Sequence, residues 1–232
     1  MQITAARAAF LDVNCYAVAP EVPADHQGPR PCVLVDAGHD AAPALERTLA
    51  DLGWEPRAIL LTHGHLDHVL GLPGFLARWD VPVYIGADDA YRLADPVALT
   101  SPQLAAQLGD LATGWTEPAH EPTADHAELE IAGLRIGART APGHTEGSTL
   151  WRVTDAGEQL GSTPELPEVL FTGDVLFAGA IGRTDLAGGD PAAMDRTLAW
   201  ITELPDSPVL PGHGPASLLS HEVAHNPYLA GA

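Results

Sequence analysis

A histidine-rich turn directly after an apolar segment constrains this chain more than any other feature of its sequence. The apolar run 58–61 leads into a turn that holds His63, His65, Asp67 and His68 within six residues. Imidazole and carboxylate groups are the ligands that zinc, iron and manganese bind in proteins. The turn therefore predicts one wall of a metal site at the end of a buried strand, rather than an ordinary polar loop.

The same pattern recurs at three later points of the chain. An apolar run ends each time in a glycine-containing turn with one metal-binding side chain: His144 after Gly143, Asp174 after Gly173, and His213 after Gly212. Seven nitrogen and oxygen ligands are too many for one tetrahedral ion and suit two ions. Because no cysteine takes part, the pattern favours a catalytic site with open coordination positions over a structural zinc-thiolate site.

The order of the expected elements indicates the fold class. The chain begins with strands, continues with mixed strands and helices, and ends with further strands and a helix, without an internal repeat. This order does not fit a regularly alternating doubly wound sheet. It predicts an α+β sandwich of two mixed β-sheets with helices on both outer faces, formed by one domain over residues 1–232. The predicted strands are 9–19, 32–35, 58–61, 82–85, 129–140, 149–153, 169–172 and 209–210, and the main helices are 41–52, 69–79, 87–93 and 191–204.

Composition and charge limit the partners of the chain. The formal net charge is −20, and all 11 basic residues are arginine. Such an acidic surface repels phosphate backbones, so we expect no nucleic-acid partner and a small-molecule substrate instead. No apolar run approaches the roughly 18 residues of a spanning helix, and no export signal is visible, so we expect no membrane partner and a cytoplasmic location. Cys15 and Cys32 lie in apolar segments and are expected to be buried, inert thiols.

Several of these motifs together resemble one known superfamily. Thr62-His63-Gly64-His65-Leu66-Asp67-His68, Pro142-Gly143-His144-Thr145, Gly173-Asp174 and Pro211-Gly212-His213-Gly214 stand in the order found in the metallo-β-lactamase-fold hydrolases. The segment Ala180-Ile181-Gly182-Arg183-Thr184-Asp185-Leu186 and the tail Asn226-Pro227-Tyr228-Leu229 are similar to the glyoxalase II-like (hydroxyacylglutathione hydrolase-like) branch. The resemblance implies the metallo-β-lactamase-like αββα sandwich over essentially the whole chain.

The resemblance also implies roles for individual residues. His63, His65 and His144 would hold a first divalent ion, Asp67, His68 and His213 a second, and Asp174 would bridge them. Zinc is the first expectation, with iron or manganese as alternatives. Asp67 and Asp174 would also act in catalysis.

Two further residues have more than one interpretation. Asp36 would orient a metal ligand from outside the site, or is simply a turn-forming aspartate. Arg183 would bind an anionic part of the substrate, or forms a structural pair with Asp185. Five other histidines are expected not to bind metal or only to border the site: His39, His120, His126, His221 and His225.

The implied activity is metal-dependent hydrolysis of a small thioester or ester by a metal-bridging hydroxide. The chain departs from the branch at Glu146, where the family has a proline, and only nineteen residues without lysine follow His213. We therefore do not expect the family's glutathione-binding extension. Two alternatives stay open. One is a lactonase. The other is a persulfide dioxygenase with one iron on His63, His144 and Asp174, a group that has a cysteine where this chain has Ile181. The intact ligand set argues against a non-catalytic binding module, because an unused buried polar cluster would be costly.

Overall fold

A computed structural model describes residues 1–108, 111–156 and 168–229, and two six-stranded sheets account for most of its regular structure. The strands are β1 Gln2–Arg7, β2 Asn14–Ala19, β3 Arg30–Val35, β4 Trp54–Leu61, β5 Val83–Gly86, β6 Glu121–Thr123, β7 Glu128–Ile131, β8 Leu134–Thr140, β9 Thr149–Asp155, β10 Glu168–Gly173, β11 Leu176–Phe177, β12 Ala180–Ile181, β13 Pro208–Pro211 and β14 Ser217–Leu218. The helices are α1 Ala42–Leu52, α2 Leu66–Val69, α3 Leu72–Leu76, a 3-10 helix Ala87–Leu93, α4 Pro102–Leu108, α5 Pro191–Ile201 and α6 Leu219–His225.

Both large sheets are mixed. In the first, β1 to β6 lie in sequence order, antiparallel from β1 to β3 and parallel from β3 to β6. In the second, the order is β14-β13-β10-β9-β8-β7, and only β10 and β13 run parallel. Strands β11 and β12 form a separate hairpin. The predicted α+β sandwich of two mixed sheets is therefore confirmed.

The side chains of β4 show why its sequence is apolar without interruption. Successive side chains of a strand point to opposite faces of its sheet. Ile59 and Leu61 belong to the core on the helix-covered outer face, whereas Ala58 and Leu60 belong to the core between the two sheets. In a strand buried on both faces, apolar and polar residues do not alternate along the sequence. The core between the sheets also contains the fully buried rings of Trp151 and Phe171 from the second sheet.

Helices cover the outer faces of both sheets. Helix α1 buries Leu45 and Leu49 against the first sheet and ends at Gly53, whose φ of 67° is the left-handed C-cap conformation that glycine favours. Helix α5 packs on the second sheet and begins at Asp190, whose side chain accepts hydrogen bonds from the amides of Ala192 and Ala193 at 2.8 and 3.1 Å. The predicted helices 41–52 and 191–204 are confirmed, the second ending at Ile201. No helix in the described ranges has the length and hydrophobicity needed to span a bilayer.

Two local predictions are wrong. The helix expected at 69–79 is broken between α2 and α3, because the Gly71 amide bonds the carbonyl of Ala37 at 2.8 Å and the backbone there lies against Gly38. The strand expected over 9–19 is shorter, since residues 9–12 form a turn and β1, which was not predicted, pairs with β2 as a partly exposed edge strand. Most of the surface loop predicted at 155–168 lies outside the described residues.

The two thiols are free and buried, as predicted. Burial raises the pKa of Cys15 and that of Cys32 to about 12 each. Because the thiolate is the reactive form, we expect iodoacetamide at pH 8 to alkylate the folded protein at least about a hundredfold more slowly than the urea-unfolded protein. Mass spectrometry of both samples over time measures this difference. Modification of the folded protein at the rate of a free cysteine would contradict the burial of these residues.

Candidate metal centre

The seven predicted ligands converge where the two sheets meet at one edge. His63 and His65 follow β4, His144 lies between β8 and β9, Asp174 follows β10, and His213 follows β13. Two backbone hydrogen bonds of 2.8 Å hold these turns in register: Thr149 donates to the carbonyl of Thr62, and Gly212 donates to that of Gly173. The site is therefore assembled by strand ends that are far apart in sequence.

The side chains form two adjacent groups that meet at one aspartate. The ligand atoms of the first group, and likewise those of the second, lie within 4.8 Å of one another. Asp174 lies between the groups, with one carboxylate oxygen 3.3 Å from His68 Nε2 and the other 3.7 Å from His144 Nε2. The first group is His63, His65 and His144, and the second is Asp67, His68 and His213. These two sets match the grouping that the resemblance implies, and a third set of close ligand atoms, His63, His68 and Asp174, joins them; metal ligation itself stays a prediction.

Hydrogen bonds behind the site set the orientation of three imidazole rings. His144 Nδ1 bonds the carbonyl of Arg183 at 2.8 Å, and His68 Nδ1 bonds the Asp36 carboxylate at 2.8 Å. His63 Nδ1 lies 3.1 Å from the Thr62 hydroxyl, which itself donates to Asp36. A ring that donates from Nδ1 presents Nε2 to the site. The second nitrogen of each ring therefore faces the cluster.

Asp36 makes the contacts expected of a carboxylate that orients a ligand. It is 1% exposed and has a φ of 61°, a left-handed conformation that is uncommon outside glycine. Besides His68, its Oδ1 accepts a hydrogen bond of 2.8 Å from the Thr62 amide. A turn-forming aspartate alone would not need these partners, so the geometry favours the orienting role.

The histidines of the first group are held neutral. Burial, together with neighbouring His68, lowers the pKa of His63 well below its usual range. Burial and neighbouring His144 lower the pKa of His65 to about 3, and burial lowers that of His144. A neutral imidazole is the form that binds a cation. The first group is therefore ready to bind at neutral pH.

In the second group and at Asp174, carboxylates pair with protonated histidines. Burial alone would raise the pKa of Asp174, but the positive charge on His68 outweighs it and holds this pKa well below the usual range. Burial alone would lower the pKa of His213, yet its bonds to Asp174 and Asp67 raise it to about 9. A cation bound at this position would replace the protons on His68 and His213.

The polar atoms of the cluster fit bound cations. Within the described residues, His68 Nε2 and Asp174 Oδ1 are buried and lack a hydrogen-bond partner. His65 Nδ1 lies 3.1 Å from His63 Nε2 and 2.8 Å from His144 Nε2, and one proton can satisfy only one of these two contacts. Buried polar atoms without protein partners are suited to bind a cation. The donors are all nitrogen and oxygen, which suits zinc, iron or manganese.

Gly212 is a position where the site leaves no room for a side chain. A Cβ at Gly212 would lie 2.3 Å from Asp174 Oδ1 and 2.6 Å from His68 Cε1. We expect Gly212→Ala to weaken metal binding at the second position by about 10- to 100-fold, because both ligands must move. Calorimetric titration with zinc measures this affinity. Gly74→Ala is the matched control, since a Cβ there meets nothing closer than 3.9 Å, and equal zinc affinity in the two variants would contradict the prediction.

A buried carboxylate outside the predicted set ties the two histidine turns together. Asp89, in the 3-10 helix, is fully buried and accepts hydrogen bonds from the Gly64 amide at 2.7 Å, the Gly147 amide at 2.8 Å and the Thr145 hydroxyl at 2.9 Å. Gly64 separates His63 from His65, and Thr145 follows His144. Sequence reasoning missed Asp89 because nothing in its local spacing connects it to either turn.

Arg92 explains the departure at Glu146. Its guanidinium is 3% exposed and bonds Asp89 at 3.3 Å, the carbonyl of Ala187 at 3.0 Å and the Glu146 carboxylate. A proline at 146 could not supply this carboxylate. With glutamate in place of proline at position 146, the turn loses the rigidity of proline and is held by the ion pair with Arg92 instead.

Arg183 forms the structural pair with Asp185 that was one of its two predicted interpretations, and its role in substrate binding stays a prediction. Its guanidinium forms a bidentate pair with Asp185, at 2.7 and 2.8 Å, and it also lines the pocket above the ligands. This pocket has a volume of about 660 Å³, and His65, Asp67, His144, Asp174 and His213 form its base. The ligand cluster is therefore open to a small molecule from one side.

The five histidines that were not expected to hold a metal stay apart from the cluster. Among the residues that the structure describes, none of them belongs to a group of three potential ligands. His221 and His225 stack on α6 with ring centroids 4.4 Å apart, and His39 borders a separate surface cavity. His126 is exposed beside Asp125, and His120 bonds the carbonyl of Pro118 at 3.0 Å.

Comparison with known sequences places the chain in a family. The sequence profile of the metallo-beta-lactamase superfamily matches residues 8–213. The chain belongs to this superfamily. An uncharacterised protein of Mycobacterium tuberculosis is 34% identical over 100% of this chain and 99% of its own length. The probable metallo-hydrolase YqgX of Bacillus subtilis is 33% identical over 86% of this chain and 88% of its own, and the hydroxyacylglutathione hydrolase GloC of Haemophilus influenzae is 28% identical over 84% and 86%.

Solved structures of the superfamily have the same fold. The crystal structure of BLEG-1 B3 metallo-beta-lactamase is 30% identical, with a TM-score of 0.77 over 99% of this chain and 100% of its own. TTHA1623 in a di-iron-bound form is also 30% identical, with a TM-score of 0.75 over 97% of this chain and 100% of its own. Superfamily members are in general metal-dependent enzymes, and the predicted divalent-metal site lies at the sheet edge described above.

Proposed function

We propose that this chain is a metal-dependent hydrolase of a small thioester or ester, similar to the hydroxyacylglutathione hydrolases. The observation that carries the proposal is the pair of three-residue nitrogen and oxygen groups that meet at Asp174 beneath an open pocket. A site of this kind suits hydrolysis because both the water and the carbonyl need activation. The relationship to the Haemophilus influenzae enzyme adds support.

Each group would hold one divalent cation. His63, His65 and His144 would bind the first, Asp67, His68 and His213 the second, and Asp174 would contact both. When bound, the two cations supply an activated water and a Lewis acid for the substrate carbonyl. Zinc is the expected metal, and iron or manganese would suit the same donors.

The side chains around the cluster have separate tasks in this reaction. Burial alone would raise the pKa of Asp67, but His68 and His213 outweigh it and lower the pKa, so this carboxylate is ionised at neutral pH. Asp67 also lines the pocket beside the other ligands, and there it would accept a proton from the attacking water. The backbone carbonyl of Arg183 and the carboxylate of Asp36 keep two ligand rings in position.

A substrate panel on the metal-loaded protein tests the proposal. The panel contains a thioester, an aryl ester, a lactone, a cephalosporin and glutathione persulfide, the last with an oxygen electrode. We expect hydrolysis of the thioester or the ester without oxygen consumption; hydrolysis of the lactone alone would identify the lactonase alternative. Oxygen consumption with the persulfide by an iron-containing protein, and no hydrolysis, would overturn the proposal in favour of the dioxygenase.

A further inference from the structure

The mouth of the pocket above the ligands is lined by exposed leucines. Leu11, Leu99 and Leu186 are 54%, 44% and 41% exposed, and all three line this pocket. Single exposed apolar side chains are ordinary on a protein surface, whereas a group around one opening marks a binding site. The three come from separate segments: the β1–β2 turn, the stretch before α4, and the loop after β12.

Leu11 is held in an unfavourable backbone conformation. Its φ of 56° and that of Asp12, 55°, lie in the left-handed region, which a leucine rarely adopts. The turn is fixed by hydrogen bonds from Ala8 to Val13 and from Ala9 to His39, at 2.8 and 2.9 Å. Such strain persists where surrounding structure enforces it and is common at ligand sites. The side chain of Leu11 is exposed, so no gain from burial offsets the free-energy cost of its left-handed backbone.

The wall below the leucines is also apolar. Leu66 is buried, and Leu104 and Phe177 are half-buried in the pocket wall. Leu66 and Leu104 continue into a small core cluster beside α4, and the Phe177 ring lies 6.2 Å from the His213 ring. An apolar surface thus runs from the rim to the metal ligands. Its apolar character suits an alkyl or acyl chain whose reacting carbonyl lies at the ligands.

Within the described pocket lining, each arginine is already paired with a carboxylate and offers little to an anionic substrate. Apart from the histidine ligands, the cationic side chains in the described lining are Arg92 and Arg183. Arg92 is engaged by Asp89 and Glu146, and Arg183 by Asp185. A further carboxylate, Asp95, lines the pocket. Acidic groups therefore outnumber basic ones around the opening, on a chain with a net charge of −20.

We infer that the substrate is a neutral ester or thioester with an apolar acyl chain. This chain lies along Leu66 and Phe177, and its end reaches solvent between Leu11 and Leu186. This inference rests on the proposed hydrolase function and specifies its substrate class. A charged thiol carrier such as glutathione, with its two carboxylates, would be held poorly by this opening. The acyl chain gains affinity by leaving water, so binding increases with chain length until the pocket is filled.

Binding of ligands that cannot be hydrolysed tests this inference without enzyme activity. Calorimetry on the metal-loaded protein would compare butyl, hexyl and octyl thioethers of N-acetylcysteamine, which is neutral, with the octyl thioether of glutathione. We expect the Kd to fall about two- to fourfold per added methylene, and the neutral octyl ligand to bind more tightly than the charged one. A Kd that does not change with chain length, or tighter binding of the glutathione thioether, would overturn the inference.

Matched leucine variants locate the effect. In the wild type, the Kd of the butyl thioether divided by that of the octyl thioether measures the gain from a longer chain. Leu11→Ser and Leu186→Ser should each reduce this ratio by about threefold or more. Leu52→Ser, on α1 and 46% exposed in the wild type, should leave this ratio unchanged, since Leu52 lies outside the pocket. An equal reduction in all three variants would contradict the assignment of the rim.

The two proposals fail in different ways. Chain-length-dependent binding in a protein that hydrolyses no ester or thioester would refute the hydrolase function and retain the apolar site. Hydrolysis of short and long acyl thioesters at equal kcat/KM, with equal Kd values for the thioethers, would retain the hydrolase and refute the substrate class.

Discussion

Replacing Asp174 by alanine is expected to abolish both metal loading and turnover. Asp174 contacts ligands of both groups, at 3.3 Å to His68 and 3.7 Å to His144, so its removal takes a ligand and a negative charge from each position. His65→Ala should have the same effect on the first position. We expect turnover to fall by about a thousandfold or more, because water loses the activation that a metal site provides. Elemental analysis and thioester hydrolysis measure the two losses.

Surface histidines provide the control for this prediction. His126 and His225 are exposed and belong to no ligand group among the described residues, so His126→Ala and His225→Ala should keep wild-type metal content and rate. Circular dichroism spectra would show whether the site variants remain folded. Full metal content or wild-type turnover in folded Asp174→Ala would contradict the assignment of the bridging position.

Removing the Asp89 carboxylate is expected to have the largest effect on stability. Asp89→Ala leaves the buried Arg92 without one of its two carboxylates, leaves two backbone amides without their acceptor and removes one acceptor of the Thr145 hydroxyl. Breaking a buried ion pair from one side costs about 3–5 kcal/mol of unfolding free energy. Metal affinity should also fall, by about 10- to 100-fold, because Asp89 supports the turns that carry His63, His65 and His144.

Urea unfolding of the metal-free variants separates the two effects of Asp89. Asp88→Ala, at the exposed neighbouring position, is the matched control and should stay within about 0.5 kcal/mol of the wild type. Asp89→Asn, which keeps an acceptor oxygen, should fall between the two. An Asp89→Ala protein as stable as Asp88→Ala would show that the network does not support the histidine turns.

The parts of the site that the sequence could predict are those with a local signature. Each candidate ligand follows an apolar run within a glycine-containing turn, and ends of neighbouring strands meet at one edge. The continuous apolar run of β4 also indicated a buried strand. These signals depend only on neighbouring residues, and together they were sufficient for the sandwich fold and for the clustering of all seven side chains.

The remaining features depend on contacts between distant residues. Arg92 and Glu146 are 54 positions apart, and Asp89 and Gly147 are 58 apart, so no spacing rule connects them. The break at Gly71 results from contact with residues 37 and 38, which overrides the helical pattern of 69–79. The leucine rim likewise combines three separate segments, and the left-handed conformation of Leu11 runs against the preference of its residue type.

Metal content and turnover measured together on the wild-type protein test the central claim most directly. The protein would be analysed for zinc, iron and manganese as purified, after complete removal of metal by a chelator, and after reloading. The two-group site predicts two metal equivalents per chain, loss of thioester or ester hydrolysis on removal, and recovery on reloading. Undiminished hydrolysis by fully metal-free protein would contradict it.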